Sequence, residues 1–226
     1  KVAAINAKAK KIIANGKEYS YDSLILATGS APVIPPFKGK ELSGIHVIWT
    51  IEDIIEINKS LLNAKKAVVI GGGLLGLEAA YKISETGIDV SLVESMPRLL
   101  PKQLDEEGAE IFEKKVRSLG ISVFCGKSVT EFEGNNNGHV TWVHMEDDTL
   151  LEADVVIVTV GVAPDIAVFR NSGINMNSFL YVNEKMETSI NGIYAAGDAV
   201  CVNGRWFGLW SVANRQGQVA GTNAAG

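Results

Sequence analysis

Three glycines and one glutamate are spaced as in a site that binds a dinucleotide. Gly71, Gly73 and Gly76 form the pattern G-x-G-x-x-G, and Glu94 follows them. Glycines at these positions permit a tight turn out of a strand, close approach of the backbone to a pyrophosphate, and close packing of a helix on a sheet. An acid about twenty residues further along the chain accepts hydrogen bonds from ribose hydroxyls. The pattern therefore predicts a phosphate-binding loop with a ribose-binding acid.

The residues around this motif have the alternation of strand and helix that such a site needs. Residues 67–70 are a short apolar run, rich in β-branched side chains, as is typical of a buried parallel strand. Residues 74–85 have the apolar spacing of a helix, and residues 88–93 predict a second strand that ends at Glu94. This order of elements favours a dinucleotide site over the alternative, a glycine-rich turn without a ligand.

The predicted contacts also indicate which nucleotide binds. The amides at the start of the helix, at Leu74 and Leu75, would face the phosphates, and the helix dipole favours negative charge there. The Glu94 carboxylate would accept from both ribose hydroxyls and would repel the 2′-phosphate of NADPH by roughly several kcal/mol. We therefore expect NADH to be preferred over NADPH. Arg98, close behind Glu94, reduces the expected preference.

Composition and charge exclude several other classes of protein. A chain of 226 residues with 46% hydrophobic and 21% charged residues is an ordinary globular protein of one or two domains. A net charge of −5 provides no basic surface for nucleic acid, and no apolar run is long enough to span a membrane. Cys125, Cys201 and the three histidines lack metal-ligand spacing, so we expect no metal site. Without a signal-peptide layout at the start, we expect a cytoplasmic protein.

The order of predicted elements indicates one domain inserted into another. Short strands and a hairpin turn at Asn15-Gly16 precede a proline-rich linker, and further short strands and a final helix follow residues 161–164. We place a discontinuous domain at residues 1–43 and 164–226, and the inserted dinucleotide-binding domain at residues 44–163. Because the discontinuous domain lacks a complete core, we expect part of it to lie before residue 1.

Four motifs, taken in order, resemble those of the FAD-dependent pyridine nucleotide–disulfide oxidoreductases. They are residues 21–30 (YDSLILATGS), 71–78 (GGGLLGLE), 160–165 (VGVAPD) and 192–198 (GIYAAGD). The resemblance covers essentially the whole chain and is nearest to NADH:rubredoxin reductases, ferredoxin reductases and the flavin part of NADH-dependent nitrite reductases. It implies an α/β fold like that of glutathione reductase, with two Rossmann-like dinucleotide-binding domains, the NAD domain inserted into an FAD domain that is incomplete here.

The resemblance also assigns residues to FAD. Segment 27–29 would lie against FAD, and the backbone of the second residue would contact its adenine. The Gly-Asp pair would hold the ribityl chain near the pyrophosphate, and the start of the final helix would face the pyrimidine ring of the flavin. The residues assigned in this way are Val2, Ala27, Thr28, Gly29, Gly197, Asp198, Trp210 and Val212.

Two further residues are assigned to NAD by the resemblance. Glu78 would orient the nicotinamide, and the backbone of Gly161 would contact it. The alternative for Glu78 is a helical ion pair with Lys82, four residues further on.

The alternatives for the flavin residues are structural. Asp198 could be a surface aspartate, Thr28-Gly29 the end of a strand, and Trp210 a packing residue. Cys201 follows the Gly-Asp pair, and a buried bystander thiol is the favoured interpretation.

The implied function is transfer of a hydride from NADH to FAD and of electrons onward to a small redox protein or a small-molecule acceptor. The sequence offers no catalytic acid, base or nucleophile for this reaction. One alternative is a non-catalytic NAD-binding module that regulates a partner. Another is a thiol-dependent NADH oxidase or CoA-disulfide reductase, with its cysteine upstream of residue 1.

The family's own FAD-binding G-x-G-x-x-G and its C-terminal interface domain are absent from residues 1–226. We therefore expect a piece of a longer protein, with a homodimer possible at full length.

Overall fold

The computed structural model describes residues 2–226, so the first residue of the predicted domain 1–43 lies outside the described residues. The chain forms two compact units. Unit 1 comprises residues 2–31 and 162–226, and unit 2 comprises residues 32–161. Among residues 2–226, no helix combines the length and the apolarity needed to cross a membrane.

Within residues 2–226 the structure has seventeen strands, four α-helices and two short 3-10 helices. The strands are β1 (Val2–Asn6), β2 (Lys11–Ala14), β3 (Lys17–Ser20), β4 (Leu24–Leu26), β5 (Ser30–Pro32), β6 (Ile45–Val47), β7 (Lys66–Ile70), β8 (Asp89–Glu94), β9 (Ser122–Cys125), β10 (Val129–Gly134), β11 (Val140–Met145), β12 (Leu150–Glu152), β13 (Val155–Val158), β14 (Val162–Pro164), β15 (Leu180–Val182), β16 (Ile193–Ala195) and β17 (Val200–Val202). The helices are α1 (Ile51–Leu61), α2 (Leu74–Ser84), α3 (Glu106–Ser118) and α4 (Trp210–Ala225).

Unit 2 is built on a five-stranded parallel sheet in the order β6-β13-β7-β8-β9. Successive side chains of a strand point to opposite faces, and both faces of this sheet are covered. Val69, Leu92 and Ile157 pack with the helices on one face. Val68, Val93 and neighbouring residues pack on the other face against the antiparallel sheet β10-β11-β12. The buried apolar runs in the sequence are explained by this double coverage.

The predicted strand–helix–strand unit is present as β7-α2-β8. Strands β7 and β8 pair in parallel, with Val69 opposite Leu92. Helix α2 ends before Gly87, whose φ of +83° is a left-handed conformation that favours glycine. Helix α3 begins at Glu106, because the preceding residue, Asp105, is its N-cap and accepts a hydrogen bond from the Gly108 amide at 2.8 Å.

Unit 1 has smaller sheets. Strands β1-β2-β3 form an antiparallel meander whose predicted hairpin turn is present, with Asn15 and Gly16 at φ +49° and +75°. The remaining strands pair as β4 with β16, β15 with β17, and β5 with β14. Leu26, Ile193 and Ala220 of helix α4 belong to the core that these elements share.

The first unit boundary lies earlier in the chain than the predicted boundary at 43/44, and the second lies at 161/162 instead of 163/164. Residues between 32 and 43 are attached to unit 2 by their side chains. Phe37 packs edge-on against Phe132 with ring centroids 5.3 Å apart, and the Ser43 hydroxyl donates to the Gly138 carbonyl. The proline-rich composition predicted a linker between the units. The contacts that attach this linker to unit 2 join residues far apart in sequence, so the local pattern could not predict them.

Helix α1 begins with a reciprocal cap that the sequence predicts from Thr50 and the acid three residues on. The Thr50 hydroxyl accepts from the Asp53 amide at 3.2 Å, and the Asp53 carboxylate accepts from the Thr50 amide at 2.7 Å. That second hydrogen bond is the largest cause of the lowered pKa of Asp53. The cap therefore weakens as the pH falls through this pKa.

We expect Thr50→Ala to lower the free energy of unfolding by about 1 kcal/mol, because alanine lacks the hydroxyl that accepts from the Asp53 amide and donates to the Asp53 carboxylate. Urea unfolding followed by circular dichroism measures the change. Thr222→Ala, at an exposed position inside α4, is the matched control and should change stability by less than about 0.5 kcal/mol. Equal unfolding midpoints for the wild type and Thr50→Ala would contradict the assigned cap.

Candidate functional site

A cleft of about 640 Å³ lies at the carboxyl ends of the central strands of unit 2. Ligands of open parallel sheets bind at this edge. The lining includes residues of the glycine loop (residues 71–73), which follows β7. It also includes Glu94 at the end of β8 with the residues after it, and residues 159–161 after β13. Its full lining is Pro35, Phe37, Ile70, Gly71, Gly73, Val93, Glu94, Ser95, Met96, Pro101, Lys102, Gln103, Lys127, Ser128, Val129, Thr159, Val160 and Gly161.

At the glycine loop, backbone atoms without side chains line the cleft. Gly71 has φ +111°, and a Cβ there would lie 2.6 Å from the Thr159 carbonyl oxygen. A Cβ at Gly76 would lie 1.9 Å from the Gly71 oxygen, so this glycine allows α2 to pack onto the loop. At Gly73, by contrast, no atom lies within 4 Å of an ideal Cβ. Close packing therefore requires glycine at position 71 of the loop and at position 76 of α2. At Gly73 there is open space next to the backbone.

The start of helix α2 follows this open space. Gly73 is the N-cap, and no side chain caps the helix. The first amides of an α-helix have no partner within the helix, and the helix dipole adds positive potential there. Leu74 and Leu75 are exposed, so apolar packing does not cover them. A helix start of this kind can bind an anion such as a phosphate group.

Glu94 is the last residue of β8 and lines the cleft, yet only 9% of its surface is exposed. Its Oε2 accepts from the Gly72 amide at 2.6 Å, and its Oε1 accepts from the Met96 amide at 2.7 Å. The Ser95 hydroxyl also donates to Oε1 at 3.3 Å, so three of about four acceptor positions are used and one remains for a ribose hydroxyl. Arg98 does not line the cleft.

The other two residues assigned to NAD are placed differently. Gly161 lines the cleft with φ +110°. Glu78 is exposed on α2 and is not part of the lining. The Lys82 amino group donates to Glu85 at 2.9 Å, and Glu78 acts on Lys82 only as a more distant charge that helps to raise the pKa of Lys82.

Thr159 is a site residue that sequence reasoning missed. Its hydroxyl lies 3.0 Å from the Ile70 carbonyl oxygen and 3.3 Å from that of Gly71, and so ties β13 to the start of the loop. The available signal was its position at the end of an apolar strand, next to the motif Val160-Gly161.

In unit 1, the residues around the Gly-Asp pair are held by buried and aromatic side chains. Ser30 donates to the Asp198 carboxylate at 2.8 Å, and the Gly197 amide donates to the side chain of buried Gln216 at 2.9 Å. The Trp206 indole donates to the Asp198 carbonyl at 2.9 Å. Sequence reasoning assigned no role to Ser30 or Gln216, although Ser30 ends the first quoted motif.

The predicted flavin residues are only partly brought together. Gly197, Asp198 and Val212 line one shallow cleft in unit 1, beside the start of α4, which has no side-chain cap. Trp210 is 81% exposed and is not part of that lining. The predicted residues at the start of the chain and in the first motif are also outside it. These are Val2, Ala27, Thr28 and Gly29.

The Thr28-Gly29 turn has partners of its own. The Thr28 hydroxyl donates to the Asp165 carbonyl at 2.6 Å, and the Asp165 amide donates to the Gly29 carbonyl at 2.9 Å. Two of the quoted motifs, residues 21–30 and 160–165, are therefore joined by hydrogen bonds.

Neither cysteine has the setting of a reactive thiol. Cys201 is buried in β17. Burial, with a contribution from Glu113, raises the pKa of Cys125 to about 12, so its thiol stays protonated at neutral pH. Among residues 2–226, no group of three or more His, Cys, Asp or Glu side chains could hold a metal ion.

Comparisons with known proteins agree with the resemblance seen in the motifs. A family model described as pyridine nucleotide-disulphide oxidoreductase matches residues 1–217. An NADH oxidase of Methanocaldococcus jannaschii is 40% identical over 98% of this chain and 51% of its own length. A rubredoxin-NAD(+) reductase of Pseudomonas putida is 30% identical over 88% of this chain and 52% of its own length.

Among solved structures, the NAD-dependent persulfide reductase from A. fulgidus superposes with a TM-score of 0.92 and 33% identity. The alignment covers 100% of this chain and 44% of the reductase. The chain thus spans about half the length of each of these three proteins.

We expect Cys125 to be inert to alkylation at neutral pH. In Cys201→Ser, where Cys125 is the remaining thiol, a pKa of about 12 instead of 9.0 lowers the thiolate fraction at pH 8 by about 1000-fold. Labelling by iodoacetamide, followed by mass spectrometry, should accelerate about tenfold per pH unit from pH 8 to 10. The urea-unfolded variant is the control and should label like a free thiol. A labelling rate that levels off below pH 9 would disprove the assigned setting.

Proposed function

The chain belongs to the pyridine nucleotide-disulphide oxidoreductase family, and we propose that it is part of an NADH-dependent flavoprotein oxidoreductase. In this reaction a hydride passes from NADH to FAD, and electrons then pass to a small redox protein or a small-molecule acceptor. The observation that carries the proposal is the cleft of unit 2, where open backbone at Gly73 lies beside the carboxylate of Glu94.

For NADH, the chain supplies a cradle for the pyrophosphate and an acceptor for the ribose. The amides of Gly73, Leu74 and Leu75 donate to the phosphates, and Gly71 and Gly76 allow the loop to pack tightly enough to present them. Glu94 would accept from a ribose hydroxyl at the acceptor position that its protein donors leave open. Gly161 lines the same cleft and would contact the nicotinamide, and Glu78 would orient that ring.

For FAD, unit 1 supplies an oriented carboxylate and an uncapped helix start. Ser30 and Trp206 hold Asp198 at its carboxylate and its carbonyl, so that the side chain is fixed before a ribityl chain binds. The amides from Trp210 to Val212 would face the flavin, where they favour negative charge. Val2, Ala27, Thr28 and Gly29 complete the proposed FAD contacts.

The protein's contribution is binding and orientation. NADH and FAD, when bound, supply the hydride donor and its acceptor. We assign no catalytic acid, base or nucleophile, and the two cysteines of the chain are unsuited to thiol chemistry in their present settings. The names of the relatives span an oxidase, a rubredoxin reductase and a persulfide reductase, so the acceptor is proposed only by class.

We expect the chain to bind NADH and to bind NADPH at least about tenfold more weakly, because a 2′-phosphate would lie beside the Glu94 carboxylate. Titration of each reduced nucleotide, followed by its own fluorescence or by calorimetry, measures the ratio. Equal or tighter binding of NADPH would remove the role given to Glu94, and binding of neither nucleotide would remove the proposed function.

Gly73→Val should weaken NADH binding by about 100-fold or more, because the valine side chain would occupy the space proposed for the pyrophosphate. The substitution should leave the circular dichroism unchanged, since no atom outside residues 72–74 lies within 4 Å of the new Cβ and φ at this position is −80°. Gly217→Val, also with open space at its Cβ, is the matched control in α4. Unchanged NADH binding by Gly73→Val would show that the loop does not hold the phosphates.

A further inference from the structure

The Glu94 carboxylate is hydrogen-bonded to the glycine loop through the Gly72 amide. We propose that Glu94 is a positioning residue for residues 71–73, so that the choice of nucleotide and the binding of pyrophosphate depend on one carboxylate. The part of this inference that concerns nucleotides rests on the proposed function, whereas the contact between Glu94 and the loop does not.

The contact is short, buried and without room for a substituent. The Gly72 amide donates to Glu94 Oε2 at 2.6 Å, and hydrogen bonds to an ionised acceptor are among the stronger ones in proteins. A Cβ at Gly72 would lie 2.7 Å from the Leu99 side chain and 3.1 Å from Glu94 Oε2. A glycine at the second position of the motif therefore allows the acid to reach the loop.

Glu94 and the segment after β8 together bind both backbone groups of Gly72, and that segment also holds the Glu94 carboxylate. The Leu100 amide donates to the Gly72 carbonyl at 3.3 Å, while the Gly72 amide donates to Glu94. The other carboxylate oxygen accepts from the Met96 amide at 2.7 Å and from the Ser95 hydroxyl at 3.3 Å. Glu94 is thus anchored at the end of β8 and bridges from there to the end of β7.

This bridge determines which amides are available to a phosphate. The Gly72 amide is already used by Glu94, so the donors that remain at the loop begin at Gly73, at the start of α2. Removal of the carboxylate would leave a buried amide without its acceptor, and the loop would have to turn to satisfy it. The remaining donors would then lose their common orientation toward the cleft.

This role predicts a different outcome from that of a residue that only contacts ribose. If Glu94 only repelled a 2′-phosphate, Glu94→Ala would improve NADPH binding. If Glu94 also orders the loop, the same substitution weakens the binding of both nucleotides, because both contain the pyrophosphate.

Hydrogen exchange in the ligand-free chain tests the contact itself. We expect exchange of the Gly72 amide to become at least about tenfold faster in Glu94→Ala, and by a smaller factor in Glu94→Gln, which retains one acceptor oxygen. Glu107→Gln, an exposed acid on α3, is the matched control and should leave this amide unchanged. Unchanged protection of Gly72 in Glu94→Ala would overturn the proposal. Because Glu94→Gln adds no cavity, it decides the question if the alanine variant fails to fold.

Nucleotide titrations test the consequence for binding. For Glu94→Ala we expect NADH to bind about 100-fold more weakly, and NADPH to bind at least about tenfold more weakly than it binds the wild type. A gain in NADPH affinity would overturn the proposed coupling. If the wild type binds neither nucleotide, the proposed function fails, and the exchange experiment still decides whether Glu94 orders the loop.

Discussion

The candidate site depends on close contact between backbone segments at the carboxyl edge of the parallel sheet. Gly71 leaves β7 in a left-handed conformation, against the backbone of Thr159 at the end of the adjacent strand. A side chain there would collide with the neighbouring carbonyl group, so the strand spacing of the sheet restricts the loop to glycine. Helix α2 starts where the loop has turned, at Gly73. The amides at its start, which have no partner within the helix, therefore owe their position to this packing.

In unit 1, too, neighbouring groups hold the residues of the candidate site in place. Asp198 is held by the hydroxyl of Ser30 and by the indole of Trp206, and the turn before it is held by the buried amide of Gln216. These partners orient a carboxylate and do not activate it. Both units therefore present backbone amides and carboxylates that are fixed in advance, which is what a protein contributes when cofactors perform the chemistry.

Much of the fold could be predicted from short-range patterns. The hairpin turn at Asn15-Gly16, the cap at Thr50 and the order β7-α2-β8 each depend on residues that are close in sequence, and the structure confirms them. The membership of the pyridine nucleotide-disulphide oxidoreductase family was also indicated by local motifs and is confirmed by the family match. The place where the linker joins unit 2 was not predictable, because it depends on Phe37 meeting Phe132 across a long stretch of chain.

The sequence by itself determined the glycine loop, the acid at the end of β8 and the family, because these depend on residue type and on spacing along one βαβ unit. Only the tertiary structure decided how Glu94 uses its two oxygens, that Thr159 holds the loop, and that Ser30 and Gln216 support the Gly-Asp pair. It also showed that the direct ion-pair partner of Lys82 is Glu85, three residues further on. Hydrogen bonds between segments distant in sequence leave no periodic pattern in the chain, and so they become visible only when folding brings the partners together.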